Sequence, residues 1–111
     1  MARTANHSFD PPDTCIYTPH MRVTYDERKR RVNLKVHGFD FLDAPRVFEG
    51  ATLTFEDDRF NYGEQRFVTL GFFGGVAVSI AHTETEEHIH VISFRRASRN
   101  EEAILFESLQ N

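Results

Sequence analysis

The sequence predicts an α+β domain in which helices gather against one antiparallel sheet, and three observations carry that prediction. Arg66–Phe73, Val76–His82 and His88–Arg96 are rich in β-branched and aromatic residues and are separated by turn signals, so they read as three antiparallel strands. The run from Asp26 to Gly38 opens on a good N-cap and closes on a glycine suited to the C′ position, as a helix does. Ser98-Arg-Asn-Glu101 has the form of a capping box and opens a last helix.

Taken in order, residues 1–20 hold Pro11-Pro12 and Pro19, few apolar groups and no period, and are expected to form a flexible extension ahead of a single domain over residues 21–111. Met21–Tyr25 alternates as a short strand, with Met21, Val23 and Tyr25 on one face. In the helix that runs to about His37, Asp26, Lys29, Asn33 and His37 make a polar stripe, with Val32 and Val36 as an apolar stripe beside it. A second helix starts at Asp40, stapled by Phe39 and Ala44, with Phe41, Ala44 and Phe48 on its inner face. Pro45 makes that helix short or distorted. Thr52–Phe55 is a further strand candidate, and Asp57 to Glu64 a polar loop. Gly74-Gly75 supplies the positive φ angles of a tight hairpin turn, and Thr83–Glu87 a looser second turn. In the last helix Ile104, Leu105 and Leu109 are the packing residues. The expected order is thus a short N-terminal strand, two helices, an antiparallel β-meander and a C-terminal helix.

The 111 residues suffice for one domain that buries roughly two-thirds of its unfolded surface. Eleven Phe and no Trp supply an aromatic core. No apolar run approaches the ~20 residues that span a bilayer, and Met1–His7 lacks the apolar centre of a secretory signal. The single cysteine, Cys15, excludes an internal disulfide and fits a reducing compartment, so a cytoplasmic location is expected. A net charge of −4 argues against nonspecific coating of nucleic acid. Without Arg3, Asp10 and Asp13 of the first twenty residues, 12 of the 13 basic and 15 of the 17 acidic residues remain, so no basic domain is hidden behind the extension. Acids cluster at Glu56–Asp58, Glu84–Glu87 and Glu101-Glu102, and cations at Arg28–Arg31 and Arg95-Arg96, a mixed surface suited to two partners of opposite charge.

Several constellations carry chemistry. His88 and His90 point to one face of a strand, but no third ligand has a fixed spacing, so no metal is expected there. His82, at a strand end, is either a general acid–base or a histidine bonded to backbone. Glu64 and Arg66 sit at the mouth of the first meander strand, where Arg66 can hold a phosphate or simply pair with Glu64. Arg95 and Arg96 point to opposite faces, so at most one joins a given site. Arg28–Arg31 circles its helix and forms no single face. No phosphate loop, dinucleotide glycine motif or nucleophile elbow is present.

These residues in this order resemble the BrnT family, the toxin halves of bacterial BrnT/BrnA type II toxin–antitoxin pairs. The resemblance runs from about Met21 to Phe106. It rests on Tyr25-Asp26, Lys29, Asn33 and His37-Gly38, then Phe41, Ala44 and Val47-Phe48, then Gly63-Glu64, Arg66 and Gly71, then His82-Thr83-Glu84, and finally Ile92–Ala97 with Glu101. It implies a fold similar to RelE-type ribonucleases, growth arrest by RNA cleavage, and neutralisation by a BrnA-like antitoxin with a ribbon-helix-helix domain, through which alone the pair would meet operator DNA. Relatives usually carry Lys directly before the position of His37, where this chain has Val36, and commonly Arg where it has Thr85 and His90. A Tyr usual in the last helix is replaced by Phe106 or a neighbour.

Metal-free cleavage needs a base for the 2′-hydroxyl, charge stabilisation at phosphorus and an acid for the leaving 5′-oxygen. On this reading Arg66 and Arg95 take the phosphate, His82 or Glu64 moves protons, and Lys29, Lys35, His37 and Arg96 are auxiliary RNA contacts, with no cofactor. The rival class is a non-catalytic partner through which an antitoxin-like protein acts on DNA, which the missing basic positions favour. A small-ligand or metal-binding domain has only His88 and His90 behind it.

Overall fold

Alternation along the strands decides what each face of the sheet buries. The computed structural model describes residues 14–18, 21–59 and 63–110. Its strands are β1 (Cys15–Tyr17), β2 (Arg22–Tyr25), β3 (Leu53–Glu56), β4 (Phe67–Phe73), β5 (Val76–Glu84) and β6 (His88–Arg96). Its helices are α1 (Glu27–His37), α2 (Ala44–Phe48), preceded by one 3-10 turn at Phe41–Asp43, and α3 (Arg99–Leu109). The strands form one sheet in the order β1-β2-β6-β5-β4-β3. Only β2 and β6 run parallel, with Val23 opposite Ile89 and Tyr25 opposite Val91; every other neighbouring pair is antiparallel. The architecture is α+β as the sequence predicts, with the meander as its centre and the N-terminal strand laid beside the meander's last strand.

The first face packs Val23, Tyr25, Val78, Ile80, Ile89, Val91 and Phe94 under Phe41, Ala44 and Val47. The second face packs Val68, Leu70 and Ala77 against Leu105 of α3. Phe94 reaches the first face through a bulge. Pairing runs Ala81 to Ser93 and then His82 to Val91, which leaves Ile92 as an extra residue and shifts the phase of everything after it. The α2 segment settles closely on the sheet at Gly71, where a Cβ would lie 2.8 Å from Val47 Cγ1 and 3.1 Å from Thr52 Cγ2. A strand-interior glycine there trades propensity for close approach.

The expected punctuation is present. The Asp26 carboxylate accepts from the Lys29 N–H, and Gly38 closes α1 at φ 80°. Gly74 and Gly75, at φ 60° and 80°, form the β4–β5 turn. Ser98 and Glu101 make both halves of the capping box. Other boundaries differ. β5 continues through Thr83 to Glu84, and the Thr85 N–H closes a shorter turn on the His88 carbonyl. Val47 is buried and Phe48 only half-buried, because α2 is a single turn led in by the 3-10 segment. Of the packing residues expected in α3, Leu105 is buried while Ile104 and Leu109 are exposed, and Phe106 instead packs on Phe72 of β4. Within the expected N-terminal extension, Cys15–Tyr17 pair with β2 as an edge strand. Residues 1–13, 19 and 20 of that extension, and residues 60–62 of the expected polar loop, lie outside the described residues.

α1 departs most from helical convention. Its apolar stripe faces out, with Val32 56 % and Val36 66 % exposed, while Asn33 is its buried residue. β2 ends at Tyr25, opposite Val91, so β6 has no strand partner on that side beyond this point. Asn33 fills the place of one. Its carboxamide oxygen accepts from the Phe94 N–H at 3.1 Å, and its Nδ2 donates to the Phe94 carbonyl at 2.7 Å and the Phe39 carbonyl at 2.9 Å. Buried backbone groups left unpaired are costly, which explains a polar residue on the inner side of this helix.

Candidate active site

α3 covers the second face over β4 and β5 and leaves its β2–β6 half open. Thr24, opposite in sense to the buried Val23 and Tyr25, projects onto that half, as do His88 and His90, which alternate with the buried Ile89 and Val91. Parallel pairing sets Thr24 directly beside His90. Thr24 Oγ1 lies 2.7 Å from His88 Nε2 and 2.7 Å from His90 Nδ1. A hydroxyl has one proton to give and two lone pairs to accept with, so it can donate to one neutral ring and accept N–H from the other. When it does, the two imidazoles hold opposite protonation at their Thr24-facing nitrogens, and each tautomer follows from the bond its ring makes with the hydroxyl.

Charge converges on the same place. Burial, then the Lys29 ammonium, pushes His90 below its ordinary value, while the carboxylates of Glu64 and Asp26 act against them. His88 is lowered by burial, then by the positive charge of Arg22 and by repulsion from His90 when that ring is protonated. His90 is thus predominantly neutral near pH 7 and able to accept a proton. Glu64 Oε2 accepts from Arg66 Nε at 3.2 Å, tying the guanidinium to the group that also acts on His90. Lys29 is exposed in the first turn of α1 and makes no salt bridge with another described residue.

Two of the expected catalytic residues are elsewhere. His82 continues the series Val78, Ile80 onto the first face, where it is fully buried between the rings of Phe48 and Phe67. Its Nε2 lies 2.7 Å from Thr69 Oγ1, which in turn lies 2.7 Å from Thr54 Oγ1. Its Nδ1 has no hydrogen-bond partner among the described residues and lies 3.4 Å from a Glu84 carboxylate oxygen. Burial pushes its pKa down to about 4. The ring is enclosed within the core and presents no accessible surface. Arg95 donates to both carboxylate oxygens of Glu101 at 2.9 and 3.0 Å, and Glu101 Oε1 also accepts the Ser98 N–H. Burial alone would raise Glu101, but these bonds outweigh it and hold the carboxyl below its usual range. Arg95 is accordingly neutralised and spent on anchoring α3 to β6.

The auxiliary set divides as well. Lys29 and His37 line one groove with Arg28, Val32, Asn33, Val36 and Ile92, while Lys35 is exposed on α1. Arg96 is exposed at the far end of β6 from His90. The structure thus places Thr24, His88 and His90 together, with Lys29 and the Glu64–Arg66 pair on their side, and sets His82 in the core and Arg95 against α3. Thr24 carried a sequence signal, since alternation places it opposite Val23 and Tyr25. Its meeting with His90 depends on a parallel pairing that no local pattern announces.

No helix is long and apolar enough to cross a membrane among the described residues, and none of them form a His/Cys/Asp/Glu group that would hold a metal ion. The described residues thus form a small α+β domain with Thr24, His88 and His90 on the open half of the sheet, Lys29 on the neighbouring helix and the Glu64–Arg66 pair leading into β4. Over residues 25–101 the chain matches the family described as "Ribonuclease toxin, BrnT, of type II toxin-antitoxin system", and it belongs to that family. No curated protein matches it.

Proposed function

We propose that this protein is the toxin of a type II pair that cleaves RNA without a metal, in the cytoplasm, and that an antitoxin of the BrnA type neutralises it. The observation that supports this reading is the Thr24–His88–His90 cluster on the open half of the sheet, with Lys29 and Glu64 close enough for their charges to act on His90 and with Arg66 held by Glu64. His90 takes the proton of the 2′-hydroxyl, whose oxygen attacks the neighbouring phosphorus. Arg66 and Lys29 stabilise the charge on the phosphorus oxygens, and Glu64 orients Arg66. The P–O5′ bond breaks as the imidazolium returns its proton to the 5′-oxygen, leaving a 2′,3′-cyclic phosphate and a 5′-hydroxyl. Thr24 and His88 position the His90 ring and set which nitrogen carries the proton.

Relatives commonly carry a permanently charged arginine where this chain has His90, so here that position exchanges a fixed charge for a group that moves protons. The rival reading, a non-catalytic antitoxin partner, draws on the same exchange and on the overall charge of −4. Inducible expression with primer extension on cellular RNA separates them. Arg66→Ala and His90→Gln should each lower cleavage on the order of 100-fold or more while leaving the fold intact. Folded variants that cut and arrest growth as well as wild type would overturn the assignment; a wild-type chain that binds the antitoxin but never cuts would favour the rival.

A further inference from the structure

The outward face of α1 has no explanation in the fold or in the proposed chemistry. Val32 and Val36 lie one turn apart, 56 % and 66 % exposed, and together with Ile92 of β6 they floor an open groove of about 290 Å³. Helices ordinarily turn such a stripe inward, and here Asn33 has taken the inward place to satisfy the edge of β6. The groove's rim is cationic: Arg28 and Lys29 line it, and Lys35 lies three residues beyond Val32 on the same side of the helix. Arg30 and Arg31 are drawn off by Asp40 and Glu27 on another side of α1, which leaves Arg28 and Lys29 without a salt bridge to any described residue.

The geometry points to this groove as the docking site of the neutralising partner, occupied by an acidic amphipathic helix that sets two apolar side chains one turn apart over Val32, Val36 and Ile92. The inference rests on the toxin reading above and adds where and how the protein partner binds. An aliphatic floor suits a peptide helix better than RNA, whose single-stranded bases are held by stacking on rings, and none of the groove residues but His37 has one. The charge of the rim selects acids on the partner and favours rapid encounter. Lys29 belongs both to the groove and to the cluster around His90. A helix seated there brings carboxylates against Lys29 and occupies the approach to the open face, so docking and inhibition are one event.

The test uses the full chain and the product of the adjoining antitoxin gene. Val32→Gln and Val36→Gln keep α1 a good helix and add no charge, and neither residue belongs to the proposed chemistry. Each should weaken binding of that product on the order of tenfold and the double variant about 100-fold, as loss of buried valine contacts would. Thermal unfolding and RNA cleavage by the double variant should match wild type, so that it still arrests growth and is no longer rescued. Wild-type affinity and rescue in the double variant would overturn the docking site. So would loss of cleavage with binding intact, which would make the groove an RNA surface, or a change in self-association, which would make its occupant a second copy. If wild type binds the product without cutting RNA, the ribonuclease reading fails alone, and the affinity ratio still decides the docking site.

Discussion

The buried His82 makes a sharp forecast about acid stability. Folding encloses its ring between Phe48 and Phe67 and holds its pKa near 4, against 6.5 in the open chain. Below pH 6.5 the unfolded chain therefore binds a proton that the folded chain refuses, so this residue's contribution is complete above pH 6.5 and shrinks as pH falls toward 4. At about 1.4 kcal/mol per pH unit, that interval is worth about 3 kcal/mol, a large share of the stability of a domain this size. His82→Leu fills much of the same space, removes the unpartnered Nδ1 and binds no proton in either state. Urea unfolding of both proteins at pH 7.5, 6, 5 and 4.5 isolates the effect. His88, His90 and the depressed carboxylates Asp26, Asp40 and Glu101 occur in both chains and cancel in the difference. Relative to His82→Leu, wild type should lose about 2 kcal/mol between pH 7 and pH 5. Parallel stability curves through that window would show that the ring is not held neutral by burial.

Three further substitutions probe the scaffold and the site. Asn33→Ala leaves the Phe94 N–H and carbonyl unpaired and should cost about 2–3 kcal/mol in denaturant unfolding, far more than an exposed asparagine would; a loss under 0.5 kcal/mol would mean water replaces the side chain. Gly71→Ala should destabilise by about 1–3 kcal/mol, because its Cβ would press on Val47 Cγ1 at 2.8 Å, and the penalty should shrink in a Val47→Ala background when read as a double-mutant cycle. Thr24→Val removes the hydroxyl shared by His88 and His90, so the pH profile of RNA cleavage should shift while the thermal midpoint changes little; an unmoved profile would deny Thr24 a positioning role.

Much of the scaffold is legible in the residues because its signals are local. Asp26 and Gly38 bound α1, Gly74-Gly75 turns the first hairpin, and the capping box of Ser98 and Glu101 opens α3, each acting within a few residues. The burial of His82 is legible too, since strict alternation from Val78 and Ile80 carries it into the core, although a titratable ring at a strand end equally fits proton transfer. The inversion of α1 was not legible. Helical periodicity separates Asn33 from Val32 and Val36 but cannot say that an unpaired strand edge will claim the polar side. Nor could spacing alone bring Lys29, Glu64 and His90 together, because their meeting depends on how β2 lies against β6. The bulge at Ile92 hid the true face of Arg95, which left its pairing with Glu101 invisible to a count of alternating positions.

The seam between β2 and β6 also sets a timetable. Thr24 and His90 are 66 residues apart, whereas β4, β5 and β6 follow one another through short turns. Hairpins between consecutive strands close quickly, and a pairing across such a separation pays its chain entropy late. During synthesis the N-terminal strand must wait for nearly the whole chain before it finds its neighbour. Shorter nascent pieces lack His90 altogether and hold none of the assembled site. The seam between β2 and β6, and with it the pairing of Thr24 with His90 and the floor that Ile92 gives the groove, is therefore among the last features of the fold to form.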